Sequence, residues 1–140
     1  MSLLADTSFF IALTDKDDAH HAVAQAWKQH LRVHPRQLVL HAGILMELGD
    51  GFARLSRRET GRRLVETLLG ATEVTCLQIT DNLLVEGSKL YIGSKDKEWG
   101  LTDCVSFVLM KKLRITKSLT ADPHFRQAGF EALLLKPPRL

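Results

Sequence analysis

The stretch Leu3-Leu-Ala-Asp-Thr-Ser-Phe-Phe-Ile-Ala-Leu13 decides the fold class. Leu3–Ala5 is a short apolar run that reads as a buried strand, and Thr7–Leu13 follows at once with a helical pattern. A carboxylate, Asp6, stands alone at the junction. A buried strand that passes directly into a helix is the opening of a strand–helix unit, and the rest of the chain repeats it. Helices are expected over Ala19–Leu31, Ala42–Leu55, Arg57–Leu69, Asp81–Tyr91 and Asp103–Leu113, with Thr102 as an N-cap of the last and Thr80 or Asp81 capping Asp81–Tyr91. Ile44, Leu48, Phe52 and Leu55 make one stripe of the helix Ala42–Leu55. Strands are expected at Gln37–Leu40, Glu73–Ile79, Arg114–Leu119 and Ala132–Leu135. This alternation predicts an α/β domain with a mainly parallel sheet. In such sheets, sites form outside the carboxyl ends of the strands, so acids at those ends carry the most weight.

The chain has 140 residues, enough for one domain with its own core. Its composition, 45% hydrophobic and 25% charged, is that of an ordinary soluble domain. We expect a single domain over 1–140, with no linker or repeat dividing it. Cys76 and Cys104 stand far apart without partner motifs, which excludes a disulfide scaffold or a cysteine zinc site and fits a reducing compartment. Asp6 interrupts a short apolar N-terminus that lacks a positive region, so no signal peptide is expected, and no run reaches the length of a membrane span. A cytoplasmic location is the expectation. Net charge is +3, which permits an anionic partner without establishing one.

Four acids stand out by position. Asp6 follows the first strand; Glu47 borders the buried stripe of its helix; Asp103 sits in the first turn of a helix; Asp122 follows the strand Arg114–Leu119. Each has an ordinary structural role open to it, as a helix cap, a dipole partner, a turn residue or a solvated side chain. Together they point elsewhere, because clustered carboxylates repel one another and a divalent cation is the usual compensation. Mg²⁺ and Mn²⁺ take oxygen ligands and suit phosphodiester chemistry.

At these positions the chain resembles the PIN-domain ribonucleases, and among them the VapC-like toxins of toxin–antitoxin systems. Leu4-Ala-Asp-Thr-Ser8 resembles the opening strand and acidic motif of that family, and Leu45-Met-Glu47 its second acidic position. Leu101-Thr-Asp-Cys-Val-Ser-Phe107 is similar to the third. Thr120-Ala-Asp-Pro-His-Phe125, followed by Gly129-Phe130, is similar to the closing signature. The likeness runs over essentially the whole chain. It implies a three-layer α/β/α sandwich, Mg²⁺ or Mn²⁺ held by Asp6, Glu47, Asp103 and Asp122, endonucleolytic cleavage of RNA, a homodimer and an antitoxin partner. Ser8 and Asp96 are candidate auxiliaries: Ser8 to orient a water or phosphate oxygen, against the alternative of a capping or core hydroxyl, and Asp96 as an acid just ahead of the third motif. One departure is His41-Ala42-Gly43, where the family more often has Thr or Ser.

Arg54, Arg57, Arg58, Arg62 and Arg63 crowd one short segment opposed by Glu59. They are read as a contact for RNA phosphates or for an acidic antitoxin segment, against the alternative of a solvated helix face. His20 and His21 are adjacent on one helix, about 100° apart, and make no metal pair. His124, next to Asp122 and Pro123, is read as a surface loop residue, against the alternative of a phosphate contact near the acids. Two other functions stay open on the residues alone: a stand-alone PIN nuclease of RNA processing, and a non-catalytic binding module.

Overall fold

The computed structural model describes residues 1–139. Five strands, β1 (Leu3–Ala5), β2 (Leu38–His41), β3 (Val74–Leu77), β4 (Lys117–Leu119) and β5 (Glu131–Ala132), form one sheet in the order β3-β2-β1-β4-β5. Every pairing is parallel. Among the described residues seven α-helices cover it: α1 (Thr7–Thr14), α2 (His21–Val33), α3 (Ala42–Gly51), α4 (Arg58–Gly70), α5 (Asp81–Gly93), α6 (Leu101–Leu113) and α7 (Pro123–Gln127). Parallel strands buried on both faces need continuous apolar sequence. Leu3, Leu4 and Ala5 supply it and are fully buried.

The strand order explains the layers. From β1 the chain steps outward to β2 and β3, then crosses back to β4 and β5 on the other side of β1. Right-handed crossovers in opposite directions put α1–α4 on one face and α5–α7 on the other, giving an α/β/α sandwich. The reversal falls between β1 and β4, so the crevice at their carboxyl ends is the topological switch point of the sheet. The second helical layer is held by aromatic packing. Phe107 of α6 meets Phe125 of α7 edge-on at 5.0 Å between ring centroids and lies against Phe130 at 5.8 Å. Gly129, at φ +95°, turns the chain out of α7 in a conformation that side-chain-bearing residues rarely adopt, and the Phe130 amide then donates back to the Phe125 carbonyl.

Several expected boundaries move. The strand expected at Ala132–Leu135 stops after Ala132, and Leu133–Leu135 form one 3-10 turn. An apolar run of that length does not distinguish strand from turn. The helix expected to reach Leu55 ends at Gly51; Phe52 is buried, but Leu55 is 94% exposed and leaves the stripe. The strand expected from Arg114 begins at Lys117, because Arg114 takes a left-handed conformation (φ 57°) that closes α6. The N-cap of α6 is Gly100, not Thr102. Thr80 caps α5, accepting from the Leu83 amide.

The α5–α6 contact depends on a missing side chain. A Cβ on Gly87 would stand 2.7 Å from Val105 Cγ2 and 3.2 Å from its Cα. Gly87→Ala would gain about 1 kcal/mol of helix propensity. Overpacking against a short branched side chain and its backbone costs roughly 1–3 kcal/mol, and the clash is severe enough to win. Urea unfolding should therefore show a net loss of up to about 2 kcal/mol. A midpoint at or above that of the unsubstituted protein would show that the helices separate without cost.

Candidate metal centre

Asp6 and the Thr120–Asp122 segment leave the sheet side by side at the switch point, because β1 and β4 are neighbours and parallel. Asp6 occupies the N-cap position of α1, yet its carboxylate makes no capping bond. Its Oδ2 instead accepts from Ser8 Oγ at 3.0 Å and Thr120 Oγ1 at 2.9 Å. The two hydroxyls also lie 3.1 Å from each other, and the carboxylate they share belongs to a residue only 7% exposed. Thr120 Oγ1 also accepts from the Asp122 amide at 3.0 Å, so a single threonine spaces the two acids. Ser8 is thus placed to hold Asp6 rather than standing apart as a cap.

Asp122 caps α7, accepting from the His124 amide at 2.9 Å, with Pro123 at the first helical position. Asp103 enters from α6, where its Oδ2 accepts from the Gly100 amide at 3.2 Å. The structural roles open to these two acids are fulfilled, and the acids still converge. One donor atom from each of Asp103, Asp122 and His124 lies within 4.8 Å of the other two. His124 is no loop residue: it sits in α7, with Nδ1 3.1 Å from Asp122 Oδ1 and 3.7 Å from Asp103 Oδ2. That nitrogen is buried and has no hydrogen-bond partner among the described residues. Its position beside Asp122 puts His124 near the acids in the sequence, but its approach to Asp103 depends on where α6 packs.

Glu47 approaches on α3. Thr7 Oγ1 donates to its Oε1 at 2.8 Å, tying α3 to the first residue of α1. The start of α3 is set by His41, the departure from the family pattern. His41 is fully buried; its Nδ1 accepts from the Gly43 amide at 3.0 Å, the role a Thr or Ser hydroxyl plays in an N-cap. Since Nδ1 accepts, Nε2 carries the proton and donates to Ser106 Oγ at 2.8 Å, and Ser106 Oγ donates in turn to the Thr102 carbonyl at 3.1 Å. The chain of bonds links α3, which carries Glu47, to α6, which carries Asp103. Burial holds His41 neutral and pulls its pKa down to about 4.

The electrostatics are those of a cation site. Burial raises the Asp6 pKa, and the Asp122 charge raises it further, against the hydroxyl bonds that lower it. Burial, with Asp6 and Asp122 adding to it, pushes Asp103 up to about 6. Glu47 is raised by burial and by Asp6. Carboxylates that repel one another and lack a Lys or Arg side chain among them need an outside cation. Oxygen donors with one buried imidazole nitrogen fit a small divalent metal ion.

A family model described as "PIN domain" matches residues 3–131. The chain belongs to the PIN-domain family. The 23S rRNA-specific endonuclease VapC20 of Mycobacterium tuberculosis is 27% identical over 130 residues, which span 91% of this chain and 95% of that protein. The crystal structure of VapC20, a sarcin-ricin loop cleaving toxin, superposes with a TM-score of 0.79 at 23% identity, over 91% of this chain and 95% of that one. The FitAcB structure from Neisseria gonorrhoeae superposes at 0.66 with 20% identity, covering 94% and 95%. Both share the fold described above, and the resemblance to VapC-like PIN toxins read from the motifs holds.

The other expected residues of this PIN domain lie outside the acidic cluster. Asp96 is exposed and pairs with Lys97 at 2.7 Å, which lowers its pKa. Arg62 is bonded to both Glu59 and Glu66, and Arg63 to Glu59. Arg57 stands over the Phe52 ring and 3.9 Å from Asp15. Arg54 and Arg58 make no ion pair with a carboxylate among the described residues. The arginine segment is therefore less positive than its composition suggests. Thr7 and Thr120, which hold Glu47 and Asp6, lie within or beside the motifs that carry the family likeness, but only contacts show what they do. His21 bonds the Ala12 carbonyl through Nδ1 at 2.7 Å, a structural tie. No helix of the described residues is long and apolar enough to cross a membrane.

Proposed function

We propose that the chain is a Mg²⁺- or Mn²⁺-dependent endoribonuclease, with residues 1–140 forming a single nuclease domain. The observation that carries this reading is the gathering of donors at the switch point: Asp103, Asp122 and His124 bring one donor atom each within 4.8 Å of one another, and the carboxyls of Asp6, Glu47 and Asp103 beside them are raised by burial and by neighbouring acids, with no Lys or Arg to balance them. The similarity to VapC20, named for its action on 23S rRNA, supports RNA as the substrate.

Asp103, Asp122 and Asp6 would hold the ion, joined by the His124 nitrogen. A divalent ion bound there supplies Lewis acidity, neutralising charge that develops on the phosphate and making water a better nucleophile. The chain's own groups do the rest. Ser8 and Thr120 fix the Asp6 carboxylate so that it needs no reorganisation during the reaction. Thr7 occupies one Glu47 oxygen and leaves the other to take the proton of the attacking water. Water oxygen forms the new bond to phosphorus, the bridging ester bond breaks, the departing oxygen takes a proton from solvent water to leave as a hydroxyl, and Glu47 returns its proton to solvent.

The toxin of a toxin–antitoxin pair is the biological setting this reading favours, with a cytoplasmic location, a homodimer and an antitoxin that covers the acidic end. Arg54 and Arg58 are the arginines of the basic segment best placed to contact RNA or the antitoxin, since the others are engaged. The test is incubation of the purified protein with cellular RNA. Discrete fragments should appear with Mg²⁺ or Mn²⁺, disappear in EDTA and return on adding the metal back. Intact RNA with metal, or cleavage unaffected by EDTA, would overturn the proposal.

A further inference from the structure

A cavity of about 880 Å³ lies at the opposite end of the sheet from the acids. Arg36 just ahead of β2, Lys117 at the start of β4 and Glu131 at the start of β5 mark its floor. These are amino ends of parallel strands, whereas Asp6 and Asp122 follow carboxyl ends; the three residues of β4 separate the two regions by roughly 10 Å.

The lining is strongly one-signed. Arg36, Lys117, Arg126, Lys136 and Arg139 all contribute, against one carboxylate among the described residues, Glu131, which lies 3.9 Å from Lys117. The groove is also built rather than incidental. Trp27 Nε1 donates to the carbonyls of Leu133 and Lys136, at 2.9 and 3.0 Å, which fixes the segment forming its wall. Arg36 Nε donates to the Met1 carbonyl at 2.8 Å, so this guanidinium is anchored in place. Its Nη2 is buried without a hydrogen-bond partner among the described residues. Aromatic side chains, Trp27 and Phe130, stand among the cations. Cations interleaved with aromatics suit a single-stranded polyanion, the first meeting phosphates and the second bases.

The groove connects with the acidic end through α7. Asp122 caps that helix at the cluster, and Arg126, one turn further on, lines the groove. One turn is about 6 Å. We propose that this groove is a second RNA-binding site, which holds the phosphates of the strand flanking the bond to be cut after it passes along α7. The proposal rests on the ribonuclease reading above.

The test uses the full chain carrying Asp103→Asn, so that RNA stays uncut, and a fluorescent single-stranded 20-mer whose anisotropy is followed across a salt series. Neutralising Arg36, Arg126 and Lys136 together (R36Q, R126Q, K136Q) should weaken binding and lower the slope of log affinity against log salt by about 2, since each phosphate contact on a single strand contributes about 0.7. The loss should be smaller for a mononucleotide, which has no flanking strand to reach the groove. Because Arg36 also anchors the N-terminus, Arg126→Glu alone, at an exposed site, should weaken 20-mer binding in the same direction. Unchanged affinity and slope in both variants would overturn the groove. So would unchanged RNA binding together with lost binding of a poly-glutamate peptide, which would assign the groove to an acidic protein segment. Failure of the ribonuclease reading is separate: it would show as absence of metal-dependent cleavage by the unsubstituted protein.

Discussion

Asp103→Asn should cut RNA cleavage by about a thousandfold or more while making the metal-free protein more stable. The substitution keeps the shape of the side chain, and its carbonyl oxygen can still accept from the Gly100 amide. What it removes is charge. If that charge helps hold the catalytic ion, the loss of several kcal/mol of transition-state stabilisation corresponds to about 10³ in rate. The stability effect has the opposite sign. Asp103 titrates near 6 in the folded protein against 3.8 for the free side chain, so between those values the folded state holds more protons than the unfolded one. The metal-free fold therefore loses stability as pH rises through that window, by about 3 kcal/mol once fully above it. Asn has no such cost. Thermal melting in EDTA at about pH 7.5, above that window, should show a higher midpoint for the variant, and Mn²⁺ should raise that of the unsubstituted protein far more. A variant that cleaves normally, or melts lower in EDTA, would show that Asp103 serves the fold and not the ion.

His41→Ala should destabilise the protein by about 2–4 kcal/mol, combining a lost N-cap with a cavity at a fully buried site. Loss of the Ser106 contact also uncouples α3 from α6, so Glu47 should lose its position and activity should fall with stability. The pH dependence identifies the residue. With a folded pKa near 4 against 6.5 for the free side chain, His41 binds fewer protons folded than unfolded across that interval. Its contribution is complete above about pH 6.5 and is lost as pH falls toward 4, a change of roughly 3 kcal/mol. His41→Asn retains a capping oxygen without the titration. The difference in unfolding free energy between the unsubstituted protein and the His41→Asn variant, measured by urea at about pH 7 and about pH 4.5, should shrink at the lower pH. A difference that stays constant would mean that His41 is not held neutral by burial.

The parts of the fold legible in the sequence are those encoded by neighbours. Leu3–Ala5, Asp6 and Thr7–Leu13 state a strand, a junction and a helix in consecutive residues, and the same grammar places an acid after β4. Once the sheet is parallel, Asp6 and Asp122 must emerge at one end. The C-terminal apolar run is less legible: Leu133–Leu135 form a 3-10 turn with two leucines buried, and burial alone makes such a run look like a strand. Helix α7 escapes detection because five residues carry too little periodicity to register. The stripe reaching Leu55 misleads for a related reason, since helical spacing continues past the point where the helix stops.

Residue order and local pattern are enough to state the class of fold, the end of the sheet where the acids gather and the family. They do not state that His41 takes over a hydroxyl's capping role and reaches Ser106, or that His124 turns a buried nitrogen toward Asp103 and Asp122. Nor do they state that Thr120 holds Asp6, or that five cations meet in a groove at the far end of the sheet. Each of these arrangements joins residues on different elements. Their distances depend on how helices pack across a finished sheet, which no local window of sequence contains.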